Sequence, residues 1–281
     1  MQTVAERIVG DGAVLTPAER RVGQVILDDP ELVAFGTVAD LARRAETSGA
    51  TVMRFAGRVG YRGFVGLQAA VQDELALRLR PATERIRQPA PSDVAGRTLA
   101  VELENLQATL GRVDRSQLDT AVALLAGRRT SVYLISGQAS LGVATTMAGE
   151  LGMLRAGVEL VTGSSVAVAA VLAHVAPGDV VVAIDLRRYD RWVVDVVRTA
   201  RAGGARVVAV TDSRLSPLAE GAAVAFAVSA DGAGPFDSHI GVLALANAIV
   251  NGVAARLRAS ATERLDRVEA AWRAADALTD G

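Results

Sequence analysis

Five short apolar runs, rich in β-branched residues, recur in the second half of the chain, and a helical pattern follows each of them. The runs are SVYLIS, VELV, DVVVAID, ARVVAVT and AVAFAV, at residues 131–136, 158–161, 179–185, 205–211 and 223–228. Near-continuous apolar strands that alternate with helices are typical of a parallel sheet covered on both faces. The helical patterns lie at residues 139–155, 165–175, 190–202, 216–221 and 237–258. We therefore predict an α/β sandwich built on a five-stranded parallel sheet.

The segment before residue 80 is helical in pattern and lacks alternation of period two. Thr16, Pro17 and Glu19 have the spacing of a capping box with proline in the first turn, which places a helix start there. The expected helices follow one another along this segment, at residues 16–30, 37–45, 48–60 and 63–80. This part of the chain is therefore predicted to be an all-α domain.

The boundary between these two patterns is marked by three prolines within residues 81–91, a composition typical of a linker. Beyond it, residues 92–128 have the pattern of two helices, and residues 262–278 have that of a charged amphipathic helix. The expected organisation is an all-α domain at residues 1–80, a linker with connecting helices at 81–128 and the α/β domain at 129–281.

Composition narrows the class of protein. The chain has 281 residues, of which 51% are hydrophobic and 22% charged, so we expect it to fold throughout. Its formal net charge of −1 means that any tendency to bind nucleic acid must be local. The absence of cysteine excludes disulfides, thiolate nucleophiles and Cys-based zinc sites. The first residues lack the pattern of a secretory signal, and we expect a cytoplasmic protein without membrane association.

Residues 37–64 have the pattern of a helix-turn-helix. Thr37 and Ser48 are suited to cap two successive helices, with a short turn at residues 45–47 between them. In the second helix three apolar residues recur at spacings of three and four and predict a face that packs inward. They are Val52, Phe55 and Val59.

A second face of that helix carries Thr51, Arg54 and Arg58, which we expect to point to solvent together. The DNA major groove admits such a helix, with Arg able to pair with guanine and Thr able to meet a phosphate or a thymine methyl. From residue 43 to residue 62 there are five Arg and one acidic residue, whereas the first 88 residues carry twelve Arg and eleven acidic residues. The pattern alone is equally compatible with a helical pair whose charged face is solvated.

Two stretches of this region resemble the amino-terminal domain of the RpiR family of bacterial transcriptional regulators. They are LTPAERRVGQVILDDPELVAF and TVADLARRAETSGATVMRFAGRVGYRGFVGLQAAVQDEL, with the phrase SGATVMRF followed by GYRGF. The resemblance implies a winged-type or extended helix-turn-helix that binds double-stranded DNA as a dimer or higher oligomer. It places the recognition-helix positions at Ser48, Ala50, Thr51, Arg54 and Arg58.

In the α/β domain, ligands are expected beyond the carboxyl ends of the strands, where loops meet helix amino termini. The first such loop contains Ser136, Gly137 and Ser140, in which glycine permits a tight turn and the hydroxyls lie beside backbone amides. Ser164 offers the same chemistry in the second loop. These residues suit a phosphate cradle, but small residues also serve any strand-to-helix turn.

Two arginines, Arg187 and Arg188, follow the third strand at the predicted ligand edge. Like charges clustered there suggest an anion, although a solvated surface pair has the same pattern. After the fourth strand, Ser216 and Pro217 have the pattern of a helix cap and first turn.

The arrangement of residues 131–258 resembles the sugar isomerase, or SIS, domain, which in RpiR-type regulators follows the helix-turn-helix and binds phosphosugars. The loop with Gly137 and Ser140 matches the family's first glycine-serine turn, and SPLA at 216–219 matches its penultimate one. Where the family carries a Ser-x-Ser/Thr-Gly loop after the third strand, this chain has DLRRY at 185–189. The expected effector is a small anion, such as a phosphosugar. Its expected contacts are Ser136, Gly137, Ser140, Ser164, Arg187, Arg188 and Ser216.

The chain has only two histidines to serve as the base of a sugar isomerase. His174 lies near the end of a predicted helix, where capping is the simpler interpretation, and His239 opens the last helix of the sheet domain, where it suits structure or ligand contact. We therefore expect a regulator without catalytic residues, cofactor or metal. Two further hypotheses stay open: a regulator with a degenerate sensor domain, and an isomerase-like enzyme with a helical appendage.

Overall fold

The fold was analysed in a computed structural model that describes residues 4–10, 15–78, 81–89, 92–214 and 216–279. The chain divides into two compact units, Met1–Arg85 and Ile86–Gly281. The end of the predicted helix at residues 63–80 and the last two residues of the proline-rich stretch, 79–80 and 90–91, lie outside the described residues.

The first unit is helical. Its helices are α1 (Val4–Gly10), α2 (Pro17–Asp28), α3 (Pro30–Phe35), α4 (Val38–Arg44), α5 (Gly49–Arg58), α6 (Gly63–Arg78) and α7 (Ala82–Arg85). The four helices expected from the sequence are confirmed as α2, α4, α5 and α6, whereas the short helices α1, α3 and α7 were not predicted. The described residues of this unit contain no strand.

Local signals account for the helix ends in this unit. Thr16 accepts a hydrogen bond from the backbone of Glu19, and the Glu19 carboxylate accepts one from the backbone of Thr16, so the predicted capping box is formed. Thr37 and Asp40 form a second capping box at the start of α4. The turn after α4 is held by Arg21, whose guanidinium donates to two carbonyl oxygens there. The helix-turn-helix is thus fixed against α2.

The second unit begins with two helices, α8 (Val94–Leu110) and α9 (Arg115–Leu125), as the pattern of residues 92–128 predicts. The strands are β1 (Val132–Ser136), β2 (Val158–Leu160), β3 (Val180–Ile184), β4 (Arg206–Thr211) and β5 (Val224–Ala227). The remaining helices are α10 (Leu141–Leu154), α11 (Ser165–Leu172), α12 (Arg191–Ala202), α13 (Ile240–Arg256) and α14 (Arg258–Ala274).

The five strands form one parallel sheet in the order β2-β1-β3-β4-β5, which confirms the predicted architecture. Successive residues of a strand face opposite sides of a sheet, so each strand feeds two cores. One core contains Leu134 and Val182 with residues of α9, α10 and α13. The other contains Ile135 and Val181 with residues of α11 and α12. Both α8 and α9 pack against α13 and therefore belong to the sheet unit.

The prediction of a helix at residues 216–221 is wrong, because the chain forms turns there. Ser216 is buried, and its hydroxyl oxygen accepts a hydrogen bond from the backbone N–H of Leu218, two residues further on. Serine bonds of this kind close a local turn and compete with a helix.

Among the described residues, no single helix has both the length and the hydropathy of a membrane span. The helices α13 and α14 meet the criterion only when they are joined, and they are bent by 103° at their junction.

Candidate nucleic-acid interface and effector site

The second helix of the helix-turn-helix, α5, is held by its apolar face. Val52 and Phe55 are completely buried and Val59 nearly so, as the spacing predicted. Ser48 caps α5, and its hydroxyl oxygen accepts from the backbone N–H of Thr51 at 3.3 Å. The orientation of α5 is therefore determined by burial on one side and by the cap at its start.

The opposite face of α5 forms a continuous exposed stripe, which we call the α5 face. It consists of Ala50, Met53, Arg54, Gly57 and Arg58. Each of these residues has another member of the set three or four positions away, so they lie on one face of the helix. Met53 is 47% exposed and was not among the predicted contact residues. An apolar side chain on such a face matches the thymine methyl group.

Thr51 does not share this exposed face, so the prediction that its hydroxyl points to solvent is wrong. Its side chain is only 7% exposed, and its hydroxyl lies 3.0 Å from that of Ser48. It also accepts a hydrogen bond of 3.2 Å from Nη2 of Arg54. Thr51 therefore orients the Arg54 guanidinium, while Arg54 itself is exposed.

Arg58 is exposed on the α5 face and is tied to α2. Its Nε lies 3.2 Å from Oε1 of Glu19, a carboxylate that is 2% exposed. Hydrogen bonding from the backbone of Thr16 lowers the pKa of Glu19, and Arg58 and Arg54 lower it further. Glu19 is thus a charged group that both caps α2 and positions a cation of the recognition helix.

Further cations surround the α5 face. Arg43, Arg44 and Arg62 are exposed, and Arg43 pairs with Asp40 of its own helix. The predicted concentration of positive charge on this hairpin is therefore present on its surface. Such a surface is suited to a polyanion.

At the carboxyl edge of the sheet, the predicted first loop comes together with the start of α13. Ser140 is completely buried, and its Oγ lies 3.2 Å from Nε2 of His239. Ser136 is 4% exposed, and its hydroxyl has no hydrogen-bond partner within the described part of the chain. Burial lowers the pKa of His239, which favours the neutral imidazole.

Asp185, which stands where a hydroxyl loop was expected, occupies the space above Gly137. A Cβ added at Gly137 would lie 2.2 Å from Oδ1 of Asp185, so only glycine fits there. The carboxylate accepts from the backbone N–H groups of Leu186 and Asp190. Burial raises the pKa of Asp185 to about 6, with a contribution from the carboxylates of Asp190 and Asp212.

Arg187 is not at an exposed edge, and this corrects the expectation that its guanidinium faces an anion. Its side chain is 8% exposed, and its Nη2 lies 3.0 Å from Asp237 and 3.3 Å from Asp231. It also donates to the carbonyl of Ala230 at 2.9 Å. The guanidinium is therefore used to join the loop after β3 to the loop after β5.

The other predicted effector residues differ in accessibility. Arg188 is exposed and has a positive φ of 66°, a backbone conformation that non-glycine residues rarely adopt. Ser164 is exposed and caps α11 through the backbone of Ala167. Ser216 is buried within its turn.

The sequence analysis did not predict that aspartates and a tyrosine would lie at the carboxyl edge of the sheet together with the expected effector residues. Tyr189 donates to Asp212 at 2.9 Å, and burial raises the pKa of both groups. Asp231 and Asp237 neutralise Arg187 from a distant loop. An aspartate after a strand is a local signal that was available for Asp185 and Asp212. The described residues contain no group of three or more His, Asp or Glu side chains suited to a metal ion.

Comparison with known proteins identifies both units. A family model described as a helix-turn-helix domain of the rpiR family matches residues 2–78. A model of the SIS domain matches residues 124–251. The chain therefore combines two known domains. Its helical unit is the RpiR-type helix-turn-helix domain, and its sheet unit contains the SIS domain.

The relatives of the chain include transcriptional regulators that match most of its length. The regulator HexR of Pseudomonas aeruginosa is 26% identical over 275 residues, which cover 96% of this chain and 95% of HexR. An uncharacterised HTH-type regulator of Haemophilus influenzae is 26% identical over 213 residues, 73% of each chain. The bifunctional protein glk of Paraburkholderia xenovorans is also 26% identical, and the match covers 79% of this chain but 34% of that longer protein.

Solved structures agree with the fold. The sugar isomerase domain of an RpiR transcription factor from Sphaerobacter thermophilus matches with a TM-score of 0.58 and 25% identity, over 62% of this chain and 97% of that one. The NanR protein of Vibrio vulnificus, complexed with ManNAc-6P, matches with a TM-score of 0.57 and 20% identity over 99% of this chain and 100% of that one. At this level of identity, the NanR likeness supports the fold alone.

Proposed function

We propose that this protein is a transcriptional regulator of the RpiR family that binds double-stranded DNA through the α5 face. The observation that carries the proposal is the exposed face of α5, where Arg54 is oriented by Thr51 and Arg58 by Glu19. Preorganised guanidiniums read guanine at a lower entropic cost than free side chains do. The proposed contacts are Ser48, Ala50, Met53, Arg54 and Arg58, with Thr51 acting through Arg54.

The second part of the proposal is that the carboxyl edge of the sheet binds a small effector that alters DNA affinity. The buried Ser136 and Ser140 hydroxyls beside Gly137 support a phosphosugar or a related anion, with Ser164, Arg188 and Ser216 nearby in the loops of the same edge. The Vibrio vulnificus NanR protein, which shares this fold, is complexed with ManNAc-6P, and that compound is therefore the first to be tested here. The effector changes DNA affinity only by as much as it distinguishes the two states of the protein.

A degenerate sensor is the second candidate, and a specific observation favours it. Asp185 fills the space above Gly137, and Arg187 is neutralised by two carboxylates, so the loop after β3 presents less positive charge than its sequence suggests. In that case the protein regulates without a phosphorylated effector. We also propose that the protein is not an enzyme, that it acts in the cytoplasm, and that it binds DNA as a homodimer or homotetramer.

The proposal is tested by titrating the full chain onto DNA taken from upstream of its own gene, with fluorescence anisotropy at several salt concentrations. Arg54→Ala should weaken specific binding by about 1–3 kcal/mol, if Arg54 reads a base. Arg198→Ala, which removes an exposed arginine from α12, is the matched control and should leave the affinity unchanged. Equal affinities for the two variants would remove the α5 face from the interface.

The effector is tested by adding ManNAc-6P, other sugar phosphates and inorganic phosphate to the DNA complex and to the free chain in thermal-shift measurements. A phosphosugar sensor should show a shift that Ser140→Ala reduces without loss of helical content, because alanine removes the hydroxyl and fits the buried position. No shift with any phosphorylated compound, together with intact DNA binding, would favour the degenerate sensor. Isomerisation of a sugar phosphate by the purified chain would instead support the enzyme.

A further inference from the structure

The helix α8 has a buried polar face that the sequence analysis did not single out. Asn105 and Thr109 are each only 1% exposed, and Glu102 is half-buried on the same side of the helix. Buried polar groups of this kind are retained when all of their hydrogen bonds are made. All three contact residues 229–238, the loop that follows β5.

Asn105 uses its complete hydrogen-bonding capacity. Its Nδ2 donates to the carbonyl of Asp231 at 2.8 Å and to Oε2 of Glu102 at 3.1 Å. Its Oδ1 accepts from the backbone N–H of Asp231 at 3.1 Å and from the hydroxyl of Ser229 at 3.0 Å. Two donors and two acceptors are all that an amide side chain offers. The backbone of Asp231 is therefore held on both sides by one residue.

Glu102 and Thr109 hold the two ends of the same loop. Oε2 of Glu102 accepts from the hydroxyl of Ser238 at 2.5 Å. Oγ1 of Thr109 accepts from the backbone N–H of Ser229 at 3.0 Å. A Cβ at Gly241 would lie 2.6 Å from Oγ1 of Thr109, so the start of α13 packs tightly on α8. The loop after β5 is thus bound to α8 at its beginning, middle and end.

This loop supplies groups to the candidate effector site. Asp231 and Asp237 pair with Arg187, and His239 follows directly and contacts Ser140. We propose that Glu102, Asn105 and Thr109 are positioning residues of the effector site, and that α8 transmits occupancy of that site. The transmitting role rests on the proposed function, because it requires the proposed effector. The positioning role does not require a ligand.

The transmitting role has a physical reason. The hydrogen bonds between α8 and the loop after β5 are buried, and they depend on one another. A ligand that displaces the loop must strain the two bonds that the Asn105 side chain makes to the backbone of Asp231. Breaking a buried bond exposes an unsatisfied group and is costly, so movement of α8 with the loop is favoured over separation from it. In the chain, α8 is the first helix after residues 86–93, which follow the DNA-binding unit.

The positioning role is tested by hydrogen exchange of the full chain. Asn105→Leu should accelerate exchange of the Ser229 and Asp231 amides by about tenfold or more, because their side-chain partner is lost or disturbed. Gln107→Leu makes the same kind of change at an exposed position of α8 and should have no effect on them. Glu102→Gln keeps the shape of the side chain and weakens the bonds that Glu102 accepts from Ser238 and Asn105, with the exposed Glu104→Gln as its control.

The transmitting role is tested with ManNAc-6P as the probe and the upstream DNA fragment as the readout. In the wild-type chain the compound should change the dissociation constant for DNA, and in Glu102→Gln and Asn105→Leu that change should fall by about tenfold, with DNA affinity in its absence retained. Retention of the full change in both variants would overturn the transmitting role. Unchanged amide exchange in both would overturn the positioning role.

These outcomes are separable from the failure of the proposed function. If the wild-type chain shows no response to the sugar phosphate, the effector assignment fails, and the exchange experiment still decides whether α8 holds the loop.

Discussion

The two arginine-bearing regions of the molecule, α5 and the loop after β3, differ in the accessibility of their arginines. On the α5 face, Arg54 and Arg58 are exposed, and their partners Thr51 and Glu19 orient them without covering them. After β3, Arg187 is buried between two aspartates of a distant loop. The comparison shows that an arginine in such a sequence pattern stays accessible to a ligand only where internal carboxylates do not bury it.

The carboxylates of the two regions differ in the same way. Hydrogen bonds and cations lower the pKa of Glu19, so the fold favours its charged form. Burial raises the pKa of Asp185 to about 6, so the fold favours its protonated form. One acid therefore stabilises its unit when ionised, and the other does so when neutral.

The largest predicted effect is on the stability of the sheet unit, and it tests the contrast between buried and exposed arginines. Arg187→Ala leaves Asp237 and Asp231 without their cation and the Ala230 carbonyl without its donor. We expect the free energy of unfolding of this unit to fall by about 3 kcal/mol, because one partner of a buried ion pair is removed. Both tryptophans lie in this unit, in α12 and α14, so urea unfolding followed by tryptophan fluorescence reports on it alone.

The control for this prediction is the neighbouring exposed arginine. Arg188→Ala should change the unfolding free energy by less than about 0.5 kcal/mol, as surface substitutions do. Equal losses in the two variants would break the contrast between a buried and an exposed arginine.

A smaller effect is expected in the helical unit. Glu19→Gln keeps an acceptor for Thr16 but removes the charge that pairs with Arg58, and we expect a loss of about 1 kcal/mol at pH 7. Because the pKa of Glu19 is lowered in the fold, its stabilisation is present above its ordinary value of 4.5 and is lost as the pH falls below that value. The variant should lack this acid-dependent loss.

Hydrogen exchange of the α2 amides at pH 7 and at pH 4 measures the Glu19 effect. Asp73→Asn removes an exposed carboxylate of α6 and should leave the exchange of α2 as in the wild type. A Glu19→Gln chain as protected as the wild type at pH 7 would show that the ion pair with Arg58 contributes nothing to stability.

The contribution of Asp185 to the free energy of unfolding should be similar to or smaller than that of Glu19, and its dependence on pH should have the opposite sign. Because its pKa is raised in the fold, the native state binds more protons than the unfolded state between pH 6 and pH 3.8, and stability rises as the pH falls through that range. Relative to Asp185→Asn, the wild-type chain should gain about 1 kcal/mol between pH 7 and pH 5, after allowance for solvent screening.

Urea unfolding at the two pH values, followed by tryptophan fluorescence, measures the Asp185 gain. Asp195→Asn, at an exposed site of α12, controls for a change of net charge. A constant difference between wild type and Asp185→Asn at both pH values would contradict the raised pKa.

Much of the fold was predictable because its signals are local. The β-branched runs predicted all five strands, and the capping residues Thr16, Thr37 and Ser48 predicted three helix starts. The short helices α1, α3 and α7 carry too few turns for a clear period. The helix expected at 216–221 failed because a serine-closed turn has a similar pattern to a helix cap.

The candidate sites were less predictable, and Thr51 shows why. Helical spacing placed Thr51, Arg54 and Arg58 in one row, but Thr51 lies at the edge between the buried and exposed faces, where small differences in packing decide exposure. Met53, on the exposed side of the same helix, could have been found from its spacing of three and four to Ala50 and Gly57.

The sequence by itself determined two secondary-structure patterns, a helical one before residue 80 and a strand-helix one after residue 130, because periodicity and capping depend on neighbouring residues. Only the tertiary structure decided which charged side chains are exposed and which are buried in ion pairs. The partners of Arg187 are 44 and 50 residues away along the chain, and those of Asn105 are 124 and 126 residues away. Hydrogen bonds and ion pairs depend on distances of a few ångströms in space, which no local pattern records.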